Sequence, residues 1–201
     1  MGFPTLAYGL GDSTLRGKIP RVHLVPLNVG SICIIEGDSR KIVAGMVSPP
    51  QDLTALLQIL FAALAEYGCP HALVSDNGSV FTAKDYLASL RDLAMEPLHI
   101  EKGKPWQHMI EAQFKVQLRL ADYHFEQAHT LEDVQHQHAA CMETFNTTPH
   151  WAHRTRADGQ RTPVEVLGWL RGRIVEPQRL RELFGRTEFL RTVNRYGFVS
   201  V

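Results

Sequence analysis

The sequence predicts an α/β fold in which helices flank a mixed sheet. From residue 31 onward, short apolar runs alternate with segments of helical periodicity, which is typical of an α/β sheet. The 201 residues are enough for one domain with an appendage. The longest nearly apolar run, residues 53–65, is shorter than the roughly 18 residues that cross a bilayer, so no membrane span is predicted.

The first elements are a hairpin and a helix. Ser31–Glu36 and Arg40–Val47 are rich in β-branched residues and flank Gly37-Asp38, which predicts two antiparallel strands and a tight turn. A leucine stripe with helical spacing then runs to about Tyr67. Asp52 precedes that stripe as a candidate N-cap, and Gly68 and Pro70 end it.

Strands and helices continue to alternate through residue 145. His71–Ser75 reads as a strand that ends at Asp76-Asn77-Gly78. The remaining predicted elements are a helix over Lys84–Ala94, a strand over Leu98–Glu101, and helices over Trp106–Phe125 and Leu131–Phe145. Farther on, Thr162-Pro163-Val164-Glu165 predicts one short helix, with Thr as N-cap and Pro at the first helical position.

Charge and composition divide the chain into three segments. Residues 1–30 form an atypical N-terminal segment, residues 31–150 the core, and residues 151–201 a basic extension. The extension holds ten Arg and five acidic residues, although the whole chain has no net charge. It could therefore meet an anionic partner. The three cysteines have no metal-ligand spacing and read as core residues in a reducing compartment.

Two carboxylates are candidate site residues. Asp76 comes where a strand ends, the position at which open α/β sheets place ligands. Its alternative role is a simple Asx turn with Gly78. Glu111 lies near the start of a predicted helix, and its alternative role is an ordinary salt-bridged face with Lys115 and Arg119. Together the two carboxylates could share hard divalent cations such as Mg²⁺ or Mn²⁺.

Five ordered motifs carry a family resemblance: Ser39-Arg40-Lys41-Ile42-Val43, Val74 to Phe81 (VSDNGSVF), Gly103-Lys104-Pro105-Trp106 followed by Glu111, Phe145 to His150 (FNTTPH) and Arg161 to Leu167 (RTPVEVL). In this order and spacing, the chain from residue 31 resembles the integrase core of bacterial insertion-sequence transposases, which are related to retroviral integrases and the Mu transposase. The resemblance implies a ribonuclease-H-like mixed sheet flanked by helices. The final stretch, residues 189–201, looks like the first strand of a small barrel, so the chain is expected to be truncated at both ends.

The resemblance also implies an activity. Members of the family use an Asp, Asp, Glu triad to hold two Mg²⁺ or Mn²⁺ ions for DNA strand cleavage and transfer. Asp76 matches the second Asp and Glu111 the Glu. The expected partners are transposon ends, target DNA and further copies of the chain, in the bacterial cytoplasm at the nucleoid. The residues expected to bind DNA are Lys104, Lys115, Arg119, Arg154 and Arg156.

The first triad Asp is not evident. Residues 13–35 contain no Asp or Glu, and the segment expected to form the central strand, Val22–Asn28, offers only His23 and Asn28 as polar side chains. Asp12 is the nearest upstream carboxylate and the candidate third ligand. Because the ligand set is incomplete without it, an inactive DNA-binding or oligomerising remnant is the alternative function. A two-carboxylate hydrolase such as a glycosidase is disfavoured, since it leaves the ordered motifs unexplained.

Several other side chains have plain structural interpretations. Glu36 and Asp38 are expected to cap the hairpin rather than bind metal. His150 and His153 are read as a surface loop, with DNA phosphate contact as the alternative. Trp106 and Trp169 are read as core or staple residues rather than as stacking platforms for bases.

Overall fold

A computed structural model describes residues 7–14, 30–48, 52–99, 125, 128 and 130–185, and of residues 7–14 it describes the backbone. The strands are β1 (Ala7–Thr14), β2 (Gly30–Glu36), β3 (Ile42–Ser48), β4 (Ala72–Ser75) and β5 (Glu96–His99). The helices are α1 (Leu53–Tyr67), α2 (Lys84–Asp92), α3 (Leu131–Thr147), α4 (Pro163–Leu167) and α5 (Pro177–Phe184), with short 3-10 helices at Ser79–Thr82 and Trp151–His153.

The five strands form one mixed sheet in the order β3-β2-β1-β4-β5. β1 is central, antiparallel to β2 and parallel to β4, and β4 is parallel to β5. The sequence predicted Val22–Asn28 for the central position; that segment lies outside the described residues, and β1 occupies the position instead. A strand with neighbours on both sides is held by backbone pairing, so it needs no strong side-chain signal.

Helices cover both faces of the sheet. Along β2, Ile32 and Ile34 join the core cluster that contains α1, while Cys33 and Ile35 pack with Phe145 of α3. Alternate residues of a strand point to opposite faces, so α1 and α3 lie on opposite sides of the sheet. Burial on both faces explains why β2 reads as a continuous apolar run instead of an alternating one.

The predicted end signals of α1 are confirmed. The Asp52 carboxylate accepts hydrogen bonds from the backbone N–H groups of Thr54 and Ala55, at 2.9 and 3.2 Å. Gly68 ends the helix with φ +79°, a conformation that favours glycine. The helix Pro163–Leu167 is confirmed too, with Thr162 as its N-cap in a capping box with Glu165.

Two predicted details differ. The hairpin turn is longer than Gly37-Asp38, and its left-handed residue is Arg40, with φ +64°. The last strand, Glu96–His99, begins two residues before the predicted Leu98, because its register is set by pairing with β4, where Ala72 lies opposite Glu96. The predicted end at Glu101 lies outside the described residues. Helix α5 was not predicted; its Phe184 packs edge-to-face on Phe61 of α1, with ring centroids 5.9 Å apart.

The predicted helix over Trp106–Phe125 and the predicted strand over residues 189–201 lie essentially outside the described residues. The three cysteines are buried, as expected of core residues. Among the described helices, none is long and apolar enough to cross a membrane.

Candidate functional site

Asp76 lies directly after β4, at the end of a buried strand. Its side chain is exposed, and its Oδ1 accepts a hydrogen bond from the backbone N–H of Gly78 at 2.8 Å. The Asx turn considered from the sequence is therefore present. This hydrogen bond uses one of about four lone-pair positions of the carboxylate. The turn fixes one oxygen and leaves acceptor capacity for another ligand.

The loop after Asp76 is held in place by its own apolar side chains. Val80 and Phe81, in the 3-10 helix, are 5% and 1% exposed, and the Phe81 ring packs edge-to-face on Tyr86 of α2. At Gly78 a Cβ atom would come within 2.9 Å of Asp76 Oδ1 and 3.3 Å of the Phe81 ring. A side chain at position 78 would therefore displace the Asp76 carboxylate or press on the Phe81 ring.

His99 is a site residue that the sequence analysis missed. It ends β5, and its Nδ1 lies 3.4 Å from the Asp76 carbonyl oxygen and 3.4 Å from Ser75 Oγ. A carbonyl oxygen only accepts, so an Nδ1 that bonds to it carries a proton. The signal that could have identified His99 is topological: the carboxyl ends of neighbouring parallel strands lie at one edge of a sheet.

Asp12 belongs to β1, and its Cα pairs with that of Ile32 on β2. On the other side of β1, Gly9 lies opposite Val74 of the parallel strand β4. Asp12 is three residues beyond Gly9, and Asp76 is two residues beyond Val74. The backbone therefore brings both residues to the same edge of the sheet. We call Asp12, Asp76 and His99 the strand-end site.

The other predicted ligands and several predicted DNA contacts lie outside the described residues: Glu111, Lys104, Lys115 and Arg119. Among the side chains that the structure describes, no group of three or more His, Cys, Asp or Glu is placed to hold a metal ion. Asp76 is the one residue of the predicted triad with a described side chain.

The arginines of the basic extension fall into two classes. Arg154 is exposed, whereas Arg156 forms a forked pair with Asp158, with donor–acceptor distances of 3.1 and 2.6 Å. The Arg161 guanidinium donates to the carbonyl oxygens of His153, Arg156 and Gln160, and so stabilises its own loop. Not every arginine of the extension is therefore available to an anionic partner.

Two of the family-like motifs meet in a buried contact. The Asn146 side chain accepts from the Ile42 N–H and donates to the Ile42 carbonyl oxygen, both at 2.9 Å. His153 Nε2 donates to the Ser39 carbonyl oxygen at 2.8 Å. The Glu36 carboxylate accepts from the backbone N–H groups of Asp38 and Ser39, at 3.1 and 2.6 Å, so Glu36 caps the hairpin as predicted. We call Glu36, Ser39, Ile42, Asn146 and His153 the hairpin contact.

The surface-loop interpretation of His150 and His153 is wrong. His153 is 2% exposed. His150 Nδ1 accepts from the Ala152 N–H at 3.2 Å. Burial, with His153 and Arg40 close by, lowers the pKa of His150 to about 4. His150 is thus neutral at physiological pH and offers no positive charge to a DNA phosphate.

Trp169 also differs from its interpretation. It was expected as a core or staple residue, but it is 89% exposed and lies two residues after the end of α4. The core position is taken by Leu167, which is 4% exposed. Two residues apart in sequence, these side chains have opposite environments because Gly168 turns the chain with φ +51°.

Solved integrase structures share this architecture. The catalytic core domain of BIV integrase matches with a TM-score of 0.60 and 15% sequence identity, over 81% of this chain and 93% of that one. The HTLV-2 integrase catalytic core domain, solved in complex with magnesium in a trimeric form, matches with a TM-score of 0.60 and 11% identity, over 82% and 97% of the two chains.

The simian T-cell lymphotropic virus intasome matches with a TM-score of 0.61 and 12% identity, over 81% of this chain and 54% of that one. No protein-family model matches, and neither does any curated protein. The identities are too low to transfer an activity, but the shared architecture is extensive. The chain shares the ribonuclease-H-like fold of these integrase catalytic core domains, as the ordered motifs predicted.

Proposed function

We propose that this chain is the catalytic core of a DNA transposase or integrase, which cleaves and joins DNA strands with the help of divalent cations. One observation carries the proposal: β1, the strand of Asp12, runs parallel to β4 at the centre of the sheet, and Asp76 follows β4 at the same edge. This arrangement supports Asp12 as the first acidic residue of the triad, although residues 13–35 contain none.

The donor chemistry fits Mg²⁺ or Mn²⁺. Both ions prefer oxygen ligands, and Mg²⁺ in particular keeps several waters and takes one or two carboxylates from the protein. Asp76 offers an exposed carboxylate with spare acceptor capacity. Asp12 and Glu111 would provide the other carboxylates. When bound, such ions supply an activated oxygen nucleophile and neutralise charge on the leaving oxygen.

The surrounding residues would keep Asp76 in one geometry. Its Oδ1 is oriented by the Gly78 N–H, and the loop is anchored by buried Val80 and Phe81. Ordering the carboxylate before ligands arrive lowers the entropy lost on binding. His99 lies against the Asp76 backbone, so we assign it a positioning role instead of a chemical one.

DNA is the proposed substrate, and further copies of the chain are proposed partners. The solved relatives include an intasome and a trimeric core, which supports assembly but does not define it here. Arg154 is exposed and is proposed to contact DNA phosphates, together with Lys104, Lys115 and Arg119. Arg156 would contribute less, because its charge is already paired with Asp158.

A strand-transfer assay tests the proposal. The full chain is incubated with pre-cut DNA ends and a target plasmid, in Mg²⁺ or Mn²⁺, and joined products are counted. We expect joining that falls at least about a thousandfold in Asp12→Asn, Asp76→Asn and Glu111→Gln, because each removes an anionic ligand. Asp92→Asn, an exposed carboxylate at the end of α2, is the matched control and should retain activity.

The alternative function predicts a different result. If the chain is a non-catalytic remnant, it binds DNA or forms oligomers but joins no ends in either metal. If joining is lost in Asp76→Asn and Glu111→Gln but retained in Asp12→Asn, the catalytic assignment stands and Asp12 is not the third ligand.

A further inference from the structure

Trp169 is 89% exposed, the greatest exposure among the large apolar residues that the structure describes. A tryptophan side chain carries one of the largest apolar surfaces of any residue, and leaving it in water forgoes the stabilisation that burial would contribute. Isolated exposed apolar residues are common, but an exposed indole on a segment that also carries cations is a recognisable ligand-binding arrangement.

The backbone that presents Trp169 is anchored on both sides. Leu167, before it, is buried, and Leu170, directly after it, packs against the main core. The Gly172 N–H donates to the Tyr67 carbonyl oxygen at 2.7 Å, and Arg173 pairs with Cys69 in an antiparallel bridge. A Cβ atom at Gly172 would collide with the Cys69 carbonyl, so the close approach requires glycine. Trp169 is therefore displayed from a fixed segment, residues 168–175.

The same segment carries cations. The Arg171 guanidinium donates to the carbonyl oxygens of Gly168 and Leu170, at 3.3 and 2.9 Å, which holds it beside the Trp169 backbone. The same guanidinium lies over the Tyr67 ring, 5.1 Å from its centroid. Arg173 is exposed along the same segment and donates to the Leu93 carbonyl oxygen. Residues 168–175 contain two Arg and no acidic residue.

We propose that residues 168–175 bind an unpaired nucleotide, with a base stacked on Trp169 and a neighbouring phosphate against Arg171. Stacking on an aromatic side chain works for any base, and adjacent cations track the backbone, which is how unpaired strands are held without sequence preference. An intact duplex hides the faces of its bases, so a single indole has no such surface to stack on except at an end. The inference rests on the proposed function, because strand joining exposes unpaired DNA.

The test measures binding of the full chain to a short mixed-sequence single-stranded oligonucleotide and to the blunt duplex of the same sequence. We expect Trp169→Ala to weaken single-strand binding about tenfold or more, and Trp169→Phe to recover part of that loss because a ring remains. Trp151→Ala is the matched control, since Trp151 is also exposed, at 65%, but lies outside this segment. Its single-strand affinity should equal that of the wild type.

Arg171→Gln provides a second measurement. Each phosphate contact on a single strand contributes about 0.7 to the slope of log affinity against log salt, so this variant should reduce the slope by about that amount. Equal single-strand binding by wild type and Trp169→Ala would overturn the inference, and unchanged duplex binding and strand joining in that variant would leave the proposed function intact. Sedimentation provides a further outcome that would overturn the inference. If Trp169→Ala lowers the sedimenting mass but leaves the single-strand affinity of each protomer unchanged, the surface binds a second copy of the chain instead of a nucleotide.

Discussion

The strand-end site and the hairpin contact each contain residues of the motifs that carry the family resemblance, yet their environments are opposite. Asp76 and His99 are exposed, and their hydrogen bonds are few or long. Asn146 and His153 are 6% and 2% exposed and bond directly to the backbone around β3. The polar side chains of the strand-end site can still form hydrogen bonds with groups from solvent. Those of the hairpin contact already form theirs inside the protein.

The contrast shows why a motif by itself does not identify chemistry. Asn146 and His153 satisfy backbone groups at the edge strand β3 and in the hairpin turn, which would otherwise be left without partners under α3. Carboxylate and imidazole side chains occur in both the strand-end site and the hairpin contact. Burial and partners decide which motif supports the architecture and which one is available for a ligand.

The largest expected effect separates activity from stability at the strand-end site. Asp76→Asn should reduce strand joining at least about a thousandfold, equivalent to about 4 kcal/mol in the activation barrier, because an anionic metal ligand becomes neutral. Its free energy of unfolding should change by less than about 0.5 kcal/mol, since the side chain is exposed and an amide oxygen can still accept from Gly78. Urea unfolding and the joining assay measure the two effects. A large loss of stability would mean that Asp76 is structural.

The hairpin contact should show the reverse pattern. Asn146→Ala leaves the N–H and carbonyl groups of Ile42 without their partner, which should lower the free energy of unfolding by about 2 to 4 kcal/mol. Gln135→Ala, at an exposed position of the same helix, is the control and should stay within about 0.5 kcal/mol. Both are measured by urea unfolding. Equal effects in the two variants would remove the structural role given to Asn146.

The free energy of unfolding should also depend on pH, because α3 buries His138 against β2. His138 Nε2 lies 2.6 Å from Ser31 Oγ, and burial lowers the pKa of His138 from 6.5 to about 4. The unfolded chain therefore binds this proton at higher pH than the folded chain does. Stability is fully present above pH 6.5 and falls as the pH drops toward 4, by up to about 3 kcal/mol.

The measurement is the free energy of unfolding at a series of pH values between 7 and 4. His138→Gln should flatten the curve in this window, whereas His136→Gln, on the exposed side of α3, should leave it unchanged. Identical curves for wild type and His138→Gln would show that the proton uptake occurs elsewhere.

The smallest expected effect concerns the support beneath the strand-end site. The hydroxyl of Tyr86 is buried and has no hydrogen-bond partner in the described part of the chain. Tyr86→Phe should therefore be neutral or stabilise by about 1 kcal/mol. Tyr67→Phe is the comparison, because the Tyr67 hydroxyl accepts from Lys41 Nζ at 2.9 Å, and its removal should destabilise by about 1 kcal/mol. Calorimetric melting distinguishes the two, and a destabilised Tyr86→Phe would contradict the expectation.

Local signals in the sequence were sufficient wherever an element depends on its own residues. Asp52 and Gly68 mark both ends of α1, and Thr162 with Glu165 marks the start of α4. The Asx turn at Asp76 and the ordered motifs around it were also readable, and they led to the integrase-like fold. These features depend on contacts between residues a few positions apart, which the order of residues determines directly.

Pairings between distant segments were decided only by the tertiary structure. Nothing periodic in residues 7–14 predicts a central strand; β1 exists because β2 and β4 provide backbone partners on both sides. The same reason places Asp12 beside the Asp76 strand, moves β5 to Glu96–His99, and buries Asn146 against Ile42. Hydrogen bonds between segments far apart in sequence have no local signature, so the position of a residue in the sheet, and with it the partners of its side chain, follows from the assembled fold.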